Sequence, residues 1–316
     1  MTETGTIVVA LGGNALAPPG ERATIHDQFR HTRDSLTVVV ELAREGWRIA
    51  IVHGNGPQVG DELERNESAA SRVMPLPLGV LVAGTAGWIG YMIQQSLRNA
   101  LLREGIRREV LTVITQTEVD RPDPHFESPT KPVGHELTTE LRAALSARGV
   151  PVGENGAGRW RRLTPSPDPR NVVEAAAVKR LVDAGWIVIA AGGGGPPVYF
   201  DDVLLWEGVD AVVDKDCAAA VLGSRLGADT LLILTDVDAV YRNWGTEGAE
   251  RLPRLTASEA AALLRGGSLG EGSMHPKVTA AVRFVRGGGE RAIIAHLEQG
   301  VPALRGEAGT TITGDD

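Results

Sequence analysis

The chain has 316 residues, 42% of them hydrophobic, which is enough apolar material for one large α/β domain or two lobes. Its formal net charge of −8 argues against nucleic acid or an anionic membrane as a partner, because such surfaces recruit basic patches. The single cysteine, Cys217, excludes an intrachain disulfide and a cysteine-cluster metal site. No apolar run approaches the ~18 residues of a membrane span and no signal-peptide pattern is present, so we expect a cytoplasmic protein.

Strand-like and helix-like segments alternate from the N-terminus. Short β-branched runs predict strands at Ile7–Leu11, Trp47–Val52 and Val110–Gln116. Apolar residues at helical spacing predict helices at Ile25–Glu45, Val59–Arg65 and Gly84–Glu104. Apolar strands that alternate with helices are typical of a parallel sheet covered on both faces.

Prolines and charged residues crowd together between Asp120 and Arg170. The segment contains a helical pattern at Leu137–Ala147, so it predicts a protruding flap or small subdomain and not a linker. The alternation then resumes. It predicts strands at Trp186–Ala191 and Thr230–Leu234, and helices at Val172–Ala184, Cys217–Leu226, Ala257–Leu264 and Lys277–Arg286.

Three apolar runs end in glycine-rich turns, at Gly12-Gly13-Asn14, His53–Gly60 and Gly192–Gly195. Such a turn lets backbone N–H groups approach an anion, and a following helix adds its positive end. A tight turn needs glycine for steric reasons as well, and His53 is better explained as a core histidine than as a catalytic one. The spacing of the second turn also occurs in dinucleotide sites, so a dehydrogenase is a rival, although no acid is placed to hold a ribose.

Three lysines stand at unusual positions. Lys131 lies between prolines, Lys277 opens a helix, and Lys215 separates an apolar strand from an alanine-rich helix. Burial of Lys215 would require compensating carboxylates, and Asp214 and Asp216 flank it. Phosphoryl transfer needs fixed cations of this kind, because negative charge spreads over the equatorial oxygens of the transferred group.

Two large phosphotransferase classes are excluded, because the chain has neither a Walker A motif nor the protein-kinase signature set. The turn after the strand at Thr230–Leu234 reads Thr235-Asp236-Val237-Asp238, with Tyr241 just beyond it. This turn is suited to a nucleotide-binding site, where the tyrosine could pack near a base.

Taken in order, these segments resemble the carbamate kinase group of the amino acid kinase superfamily over nearly the whole chain. The matching motifs are Val9–Ala15, Val52–Gly60, Pro129–Pro132, Gly192–Gly195, Asp214–Asp216, Thr235–Asp238 and Gly272–Lys277. The proline-flanked Lys131 is the most diagnostic of them, since it resembles the subdomain that sets this group apart.

The resemblance implies a three-layer αβα sandwich with a mainly parallel central sheet and a small protruding subdomain. Residues 1–205 would form an acceptor and dimerisation lobe that includes the flap at about 120–170, and residues 206–316 a nucleotide-binding lobe. The implied reaction is reversible phosphoryl transfer between ATP and carbamate, giving ADP and carbamoyl phosphate. Mg²⁺ as cofactor, a homodimer, and ATP formation in arginine or other nitrogen-compound catabolism are implied with it.

The resemblance also implies roles for individual residues. The carbamoyl and phosphoryl oxygens would be held by Gly12, Gly13, Asn14, Gly54, Asn55 and Gly56. Lys131 would reach in from the flap, Lys215 would stabilise the transferred group, and Asp216 would orient the lysines. The nucleotide would be held by Gly193, Gly194, Thr235, Asp236, Val237, Tyr241, Met274 and Lys277, with Lys277 on its phosphates. No protein ligand to a metal is expected.

The chain departs from the family pattern at two places. In the segment Thr85–Tyr91, Ala86 stands where the family usually has an amide, and Trp88 adds an indole. We expect this segment to open a helix that faces the acceptor site or the dimer interface. Arg159 and Gly158 are exchanged in the flap, so a flap arginine would be displaced from the site. These changes leave open an enzyme for another small carboxylate or phosphonate, or a catalytically silent nucleotide-binding homologue.

Overall fold

The computed structural model describes residues 4–13, 24–121, 123–154, 158–267, 269 and 274–315. The described helices are α1 (Ile25–Ser35), α2 (Thr37–Arg44), α3 (Gly56–Ala69), α4 (Leu78–Arg103), α5 (Pro124–Glu127), α6 (Thr139–Ala147), α7 (Ala175–Asp183), α8 (Lys215–Leu226), α9 (Ala257–Arg265), α10 (Met274–Arg286) and α11 (Gly300–Leu304). No helix in these ranges is both long and apolar enough to cross a membrane.

The described strands of the first half are β1 (Thr6–Leu11), β2 (Arg48–His53), β3 (Val110–Thr112), β4 (Thr117–Val119), β5 (Lys131–Val133), β6 (Val152–Glu154), β7 (Trp160–Thr164) and β8 (Pro169–Val172). Those of the second half are β9 (Ile187–Ile189), β10 (Pro197–Asp201), β11 (Leu205–Gly208), β12 (Thr230–Thr235), β13 (Val240–Arg242), β14 (Glu250–Leu252), β15 (Arg254–Thr256), β16 (Arg291–His296) and β17 (Thr310–Thr313).

The main sheet has the strand order β15-β17-β16-β12-β1-β2-β9-β3 among the described residues. Six neighbouring strands from β16 to β3 run parallel, while β17 pairs antiparallel with β16 at one side. The predicted, mainly parallel central sheet is confirmed. Because β12, β1, β2 and β9 are adjacent and parallel, their carboxyl ends meet along one edge.

Side chains alternate between the two faces of this sheet, and each face has its own core. Val8 and Ala10 of β1 point into a core shared with α7, α8, α9 and α10. Ile7, Val9 and Leu11 of the same strand point into the core formed with α2 and α4. A strand buried on both faces is apolar at every position, which is the pattern of a sheet between two helical layers. The three-layer arrangement follows from this packing.

Helix α8 lies unusually close to the sheet. Residues 218–220 are alanines with no exposed surface, and they pack toward the small side chains of β1 and β2. A β-carbon at Gly223 would lie 2.7 Å from Cε2 of Phe284 on α10 and 3.4 Å from Val8 of β1. Small residues along one face of α8 therefore permit the close packing of helix, sheet and α10.

The flap segment forms its own sheet, with the order β5-β7-β6 and helix α6 between β5 and β6. It lies against α3, where a β-carbon at Gly60 would come within 2.5 Å of Cα of Gly134. An ion pair of 2.7 Å joins Arg162 of β7 to Glu67 of α3. Backbone contact and charge pairing together hold the small sheet beside the main domain.

Several predicted boundaries are corrected by the structure. The single helix expected over Ile25–Glu45 is divided into two helices at Leu36. The preceding residue, Ser35, donates a hydrogen bond from its hydroxyl to the carbonyl oxygen of His31. The strand expected over Val110–Gln116 ends at Thr112, and the chain enters a second sheet of order β11-β10-β4-β8. Val172 belongs to strand β8, so α7 starts only at Ala175.

Candidate active site

Four strand ends assemble the candidate site at the carboxyl edge of the main sheet. Gly12 follows β1 and donates its N–H to Leu234 O of β12 at 3.2 Å, and Gly54 follows β2 and donates to Leu11 O at 3.0 Å. These two amides therefore continue the sheet ladder. The amides of Gly13 and Gly56 have no acceptor among the described residues, so both are available as donors to a ligand.

Gly54 is the point at which the first two glycine turns and a lysine meet. A β-carbon there would lie 2.8 Å from the nitrogen of Gly13 and 3.2 Å from Cδ of Lys215. Any side chain at Gly54 would separate these groups. The family resemblance implies that both turns hold the same substrate, and in the structure the two turns are in contact. Asn14 lies outside the described residues.

Asn55 connects the second turn to helix α4. Its side chain is 3% exposed, and its Nδ2 donates to Oγ1 of Thr85 at 2.9 Å. Thr85 lies in the middle of α4, whereas the sequence led us to expect the segment Thr85–Tyr91 to open a helix. The pair spans 30 residues, and no local pattern in the sequence predicted it.

The third glycine turn covers the same edge beyond β9. Gly193, Gly194 and Gly195 have φ angles of 67°, 90° and 80°, a region that residues with a β-carbon rarely adopt. A β-carbon at Gly194 would lie 2.3 Å from the carbonyl oxygen of Val213. Positive φ and close approach both require glycine here. Ala86 of α4 packs on this turn, since a β-carbon at Gly192 would lie 3.0 Å from its own.

Helix α8 begins at the same edge and carries a buried group of charges. Asp216 is 2% exposed and accepts a hydrogen bond of 2.5 Å from Nζ of Lys215. Its second carboxylate oxygen lies 3.4 Å from Nζ of Lys277 on α10, and Lys277 is 6% exposed. One buried carboxylate thus stands between two ammonium groups, that of Lys277 buried and that of Lys215 partly buried. Burial is the main cause that lowers the pKa of Lys277, and the positive charge of Lys215 lowers it further. The negative charge of Asp216 opposes both effects.

Asp214 is the residue that joins the flap to α8. Its Oδ1 caps the helix by accepting from the backbone N–H groups of Asp216 and Cys217, at 2.9 and 3.3 Å. Its Oδ2 accepts from Nζ of Lys131 in the flap at 3.0 Å. Burial would raise the pKa of the Asp214 carboxyl, but the charges of Lys131 and Lys215 outweigh it and hold that pKa well below its usual range. From sequence we considered Asp214 only as a neighbour of Lys215.

Strand β12 ends at Thr235, one residue later than expected, and Asp236 and Val237 follow it at the same edge as the glycine turns. The Thr235 hydroxyl donates to Oδ1 of Asp236 at 3.0 Å. Tyr241 donates its hydroxyl to the Asp238 carboxylate at 3.1 Å, and its ring centroid lies 5.0 Å from that of Trp244. Met274 begins α10, one turn before Lys277.

The remaining residues singled out from sequence lie in structural positions. His53 is fully buried with Nδ1 3.0 Å from Gly54 O, and burial lowers its pKa to about 4, so it is neutral at pH 7. Trp88 packs into the core on the α2 and α4 face of the sheet. In the flap, Arg159 is exposed, and the Trp160 ring stacks under the guanidinium of Arg142 at 4.6 Å.

Comparison with known proteins places this site in a family. The family profile described as "Amino acid kinase family" matches residues 5–296. Carbamate kinase of Pyrococcus horikoshii is 45% identical over 310 residues, which are 97% of this chain and 98% of the relative. Carbamate kinase of Halobacterium salinarum is 48% identical over 311 residues, 98% of each chain.

A solved structure of similar shape is carbamate kinase from Giardia lamblia bound to AMP-PNP. It has a TM-score of 0.91 and 36% sequence identity, and the match covers 100% of both chains. The sequence motifs, the sheet with its glycine-lined edge, and these matches over the full length agree. The chain belongs to the amino acid kinase family and, within it, to the carbamate kinases.

Proposed function

We propose that this protein catalyses reversible phosphoryl transfer between ATP and carbamate, with ADP and carbamoyl phosphate as the other pair. The observation that carries the proposal is the buried Asp216 carboxylate between Lys215 and Lys277, beside the glycine turns. Two fixed cations and free backbone amides at a sheet edge suit a transition state whose negative charge spreads over several oxygens.

Roles follow from where each group lies. Lys215 neutralises the transferred phosphoryl group, because its stem contacts Gly54 in the cleft between the first two glycine turns. Asp216 keeps both lysine side chains in place and opposes the lowering of the Lys277 pKa by burial. Lys131 brings a third cation from the flap. The amides of Gly13 and Gly56 contact the substrate oxygens, while Gly12 and Gly54 act by permitting close approach of the backbone.

The nucleotide is proposed to lie on the side of β12 and α10. Lys277 contacts its phosphates, and the turn at Thr235, Asp236 and Val237 forms the floor for its nucleoside. Gly193 and Gly194 close the cleft near the phosphates, and Tyr241 and Met274 pack at its margin. In this arrangement residues 1–205 supply the acceptor lobe with its flap at about 120–170, and residues 206–316 supply the nucleotide lobe.

Mg²⁺ is expected to arrive with the nucleotide. The two carboxylates beside the lysines are already engaged, Asp216 by two lysines and Asp214 by Lys131 and the helix N-terminus. Within the described residues no cluster of three histidine, cysteine or acidic side chains could hold a metal ion. The protein side chains therefore do not fit a metal site of their own, and Mg²⁺ commonly binds through substrate phosphates in such enzymes.

We further propose a homodimer that works in the ATP-forming direction in the cytoplasm, where ADP is available. The hairpin of β10 and β11 supports a dimer because it exposes Phe200, Val203, Leu204, Leu205 and Trp206. A contiguous apolar patch of this kind is typical of an interface. Sedimentation of wild type beside Leu204→Asp tests it, and equal monomeric mass for both would refute the dimer.

The decisive assay is ATP formation from ADP and carbamoyl phosphate with Mg²⁺. Wild type should be active, and Lys215→Met should lose ~10²–10³-fold in kcat, the usual effect of removing one electrostatic contact to a transition state. Lys179→Met is the control, because Lys179 pairs with Asp183 on the exposed face of α7. Nucleotide binding without turnover in wild type would instead indicate a silent homologue.

A further inference from the structure

The orientation of the Asn55 amide is determined by its neighbours. Thr85 Oγ1 lies 2.9 Å from the carbonyl oxygens of Leu81 and Val82, so its one proton is directed along its own helix. Its lone pair then accepts from Nδ2 of Asn55 at 2.9 Å. The reverse orientation of the amide would set two acceptors against each other or take the hydroxyl away from α4.

The glycine turn after β9 holds the amide from the other side. A β-carbon at Gly193 would lie 2.1 Å from Nδ2 of Asn55 and 2.7 Å from its Oδ1. The amide plane therefore lies between Thr85 and a backbone that carries no side chain. With both neighbours packed against it, Asn55 has little freedom to rotate.

The oxygen of this amide is the group that is available to a ligand. No described residue donates to Oδ1 of Asn55, although the residue is 3% exposed. Because Nδ2 is already committed to Thr85, this oxygen is the part of the amide that can accept a hydrogen bond from a ligand. It belongs to the residue that follows Gly54, where Gly13 and the stem of Lys215 meet. The surrounding groups are amides and ammonium ions, which recognise oxygens, whereas this group recognises an N–H or O–H.

On the basis of the proposed function, we infer that Asn55 Oδ1 accepts a hydrogen bond from the amino group of carbamate, and that Thr85 positions it. Carbamate and acetate share a carboxylate, but carbamate carries an amino group where acetate carries a methyl group. The glycine turns and lysines bind what the two have in common. Asn55 contacts what distinguishes them, because a methyl group would leave its oxygen unpaired. Asn55 is thus a specificity residue, and its amide acts as an acceptor and not as a donor.

The test compares carbamoyl phosphate with acetyl phosphate as phosphoryl donors to ADP. Acetyl phosphate is measured both by turnover and as a competitive inhibitor. The inhibition constant then gives its affinity even if its turnover is slow. Thr85→Val removes the hydroxyl while keeping the shape, and Thr85→Ser keeps the hydroxyl. Thr85→Ala provides a second variant without the hydroxyl, and thermal unfolding shows that each variant is folded.

We expect Thr85→Val and Thr85→Ala to lower the preference for carbamoyl phosphate about tenfold, the effect of one misdirected hydrogen bond. Thr85→Ser should retain the wild-type ratio. An equal loss for both phosphoryl donors, or an unchanged ratio in both hydroxyl-free variants, would overturn the inference and leave the proposed function intact. A wild type that prefers acetyl phosphate would overturn both.

Discussion

Replacing Asp216 by asparagine tests the charge arrangement at the centre of the site. The change keeps the shape of a side chain that is 3% exposed but removes the negative charge shared by Lys215 and Lys277. Two ammonium groups with side-chain exposures of 13% and 8% would then face each other without the carboxylate between them, and Asp214 would be the nearby negative charge that remains. Removing one partner of a buried ion pair typically costs ~3–5 kcal/mol in the free energy of unfolding.

The same substitution should alter the pH dependence of activity. Burial already lowers the pKa of Lys277, and Asp216 is the group that opposes this most strongly. Without it, Lys277 loses its proton at a lower pH, so the alkaline limb of the activity profile should move toward neutral pH. We expect kcat/KM for ATP formation at pH 7.5 to fall ~10²–10³-fold, with a loss of phosphate contacts as the cause.

The assay combines urea unfolding with ATP formation from carbamoyl phosphate between about pH 6 and pH 10. The matched control is Asp183→Asn, which breaks a 2.8 Å lysine–aspartate pair on the surface of α7. It should change stability by less than about 1 kcal/mol. If Asp216→Asn retains the wild-type alkaline limb and unfolds like the control, Asp216 is not coupled to the charges of Lys215 and Lys277.

Three further substitutions test other parts of the structure. Asp214→Asn can still cap α8 but holds Lys131 of the flap less firmly. KM for carbamoyl phosphate should therefore rise about fivefold (~1 kcal/mol) with kcat little changed, and an unchanged KM would show that Asp214 does not position Lys131. Gly194→Ala sets a β-carbon 2.3 Å from Val213 O at φ 90° and should unfold at far lower urea than Gly227→Ala, which has φ 66° and open space; equal midpoints would refute the steric argument. The pKa of His53 lies at about 4 in the native state against 6.5 in the unfolded chain, so ~3 kcal/mol of stability should be lost as the pH falls from 6.5 toward 4, and His53→Gln should lose less over that range.

Local signals in the sequence predicted the elements that form the sheet edge. A strand followed by glycine is visible in a short window, so the turns after β1, β2 and β9 could be placed without the fold. The break at Leu36 could not, because it coincides with hydrogen bonds from Thr32 and Ser35 to their own helix. Strand β16 is a plain apolar run, Ala292–Ala295, that a closer reading of the same periodicity would have found.

The parts of the site that could not be predicted from sequence are contacts between residues that lie far apart in the chain. The contact of Asn55 with Thr85 joins the turn before α3 to α4, and these elements are adjacent only in the folded chain. The two functions of Asp214, capping α8 and holding Lys131, depend on where the flap lies. Residue type alone indicates that a carboxylate is available, whereas tertiary packing decides which cation it meets.

The close packing of α8 on the sheet separates positions that tolerate change from positions that do not. Lys215 and Asp216 start a helix whose alanines rest directly on β1 and β2, so their location is determined by the core of the domain. Lys131 belongs to a small sheet attached through Gly134 and ion pairs. Evolution or an engineer can therefore reshape the flap and the face of α4 to admit a different acceptor while the phosphoryl-transfer centre keeps its geometry.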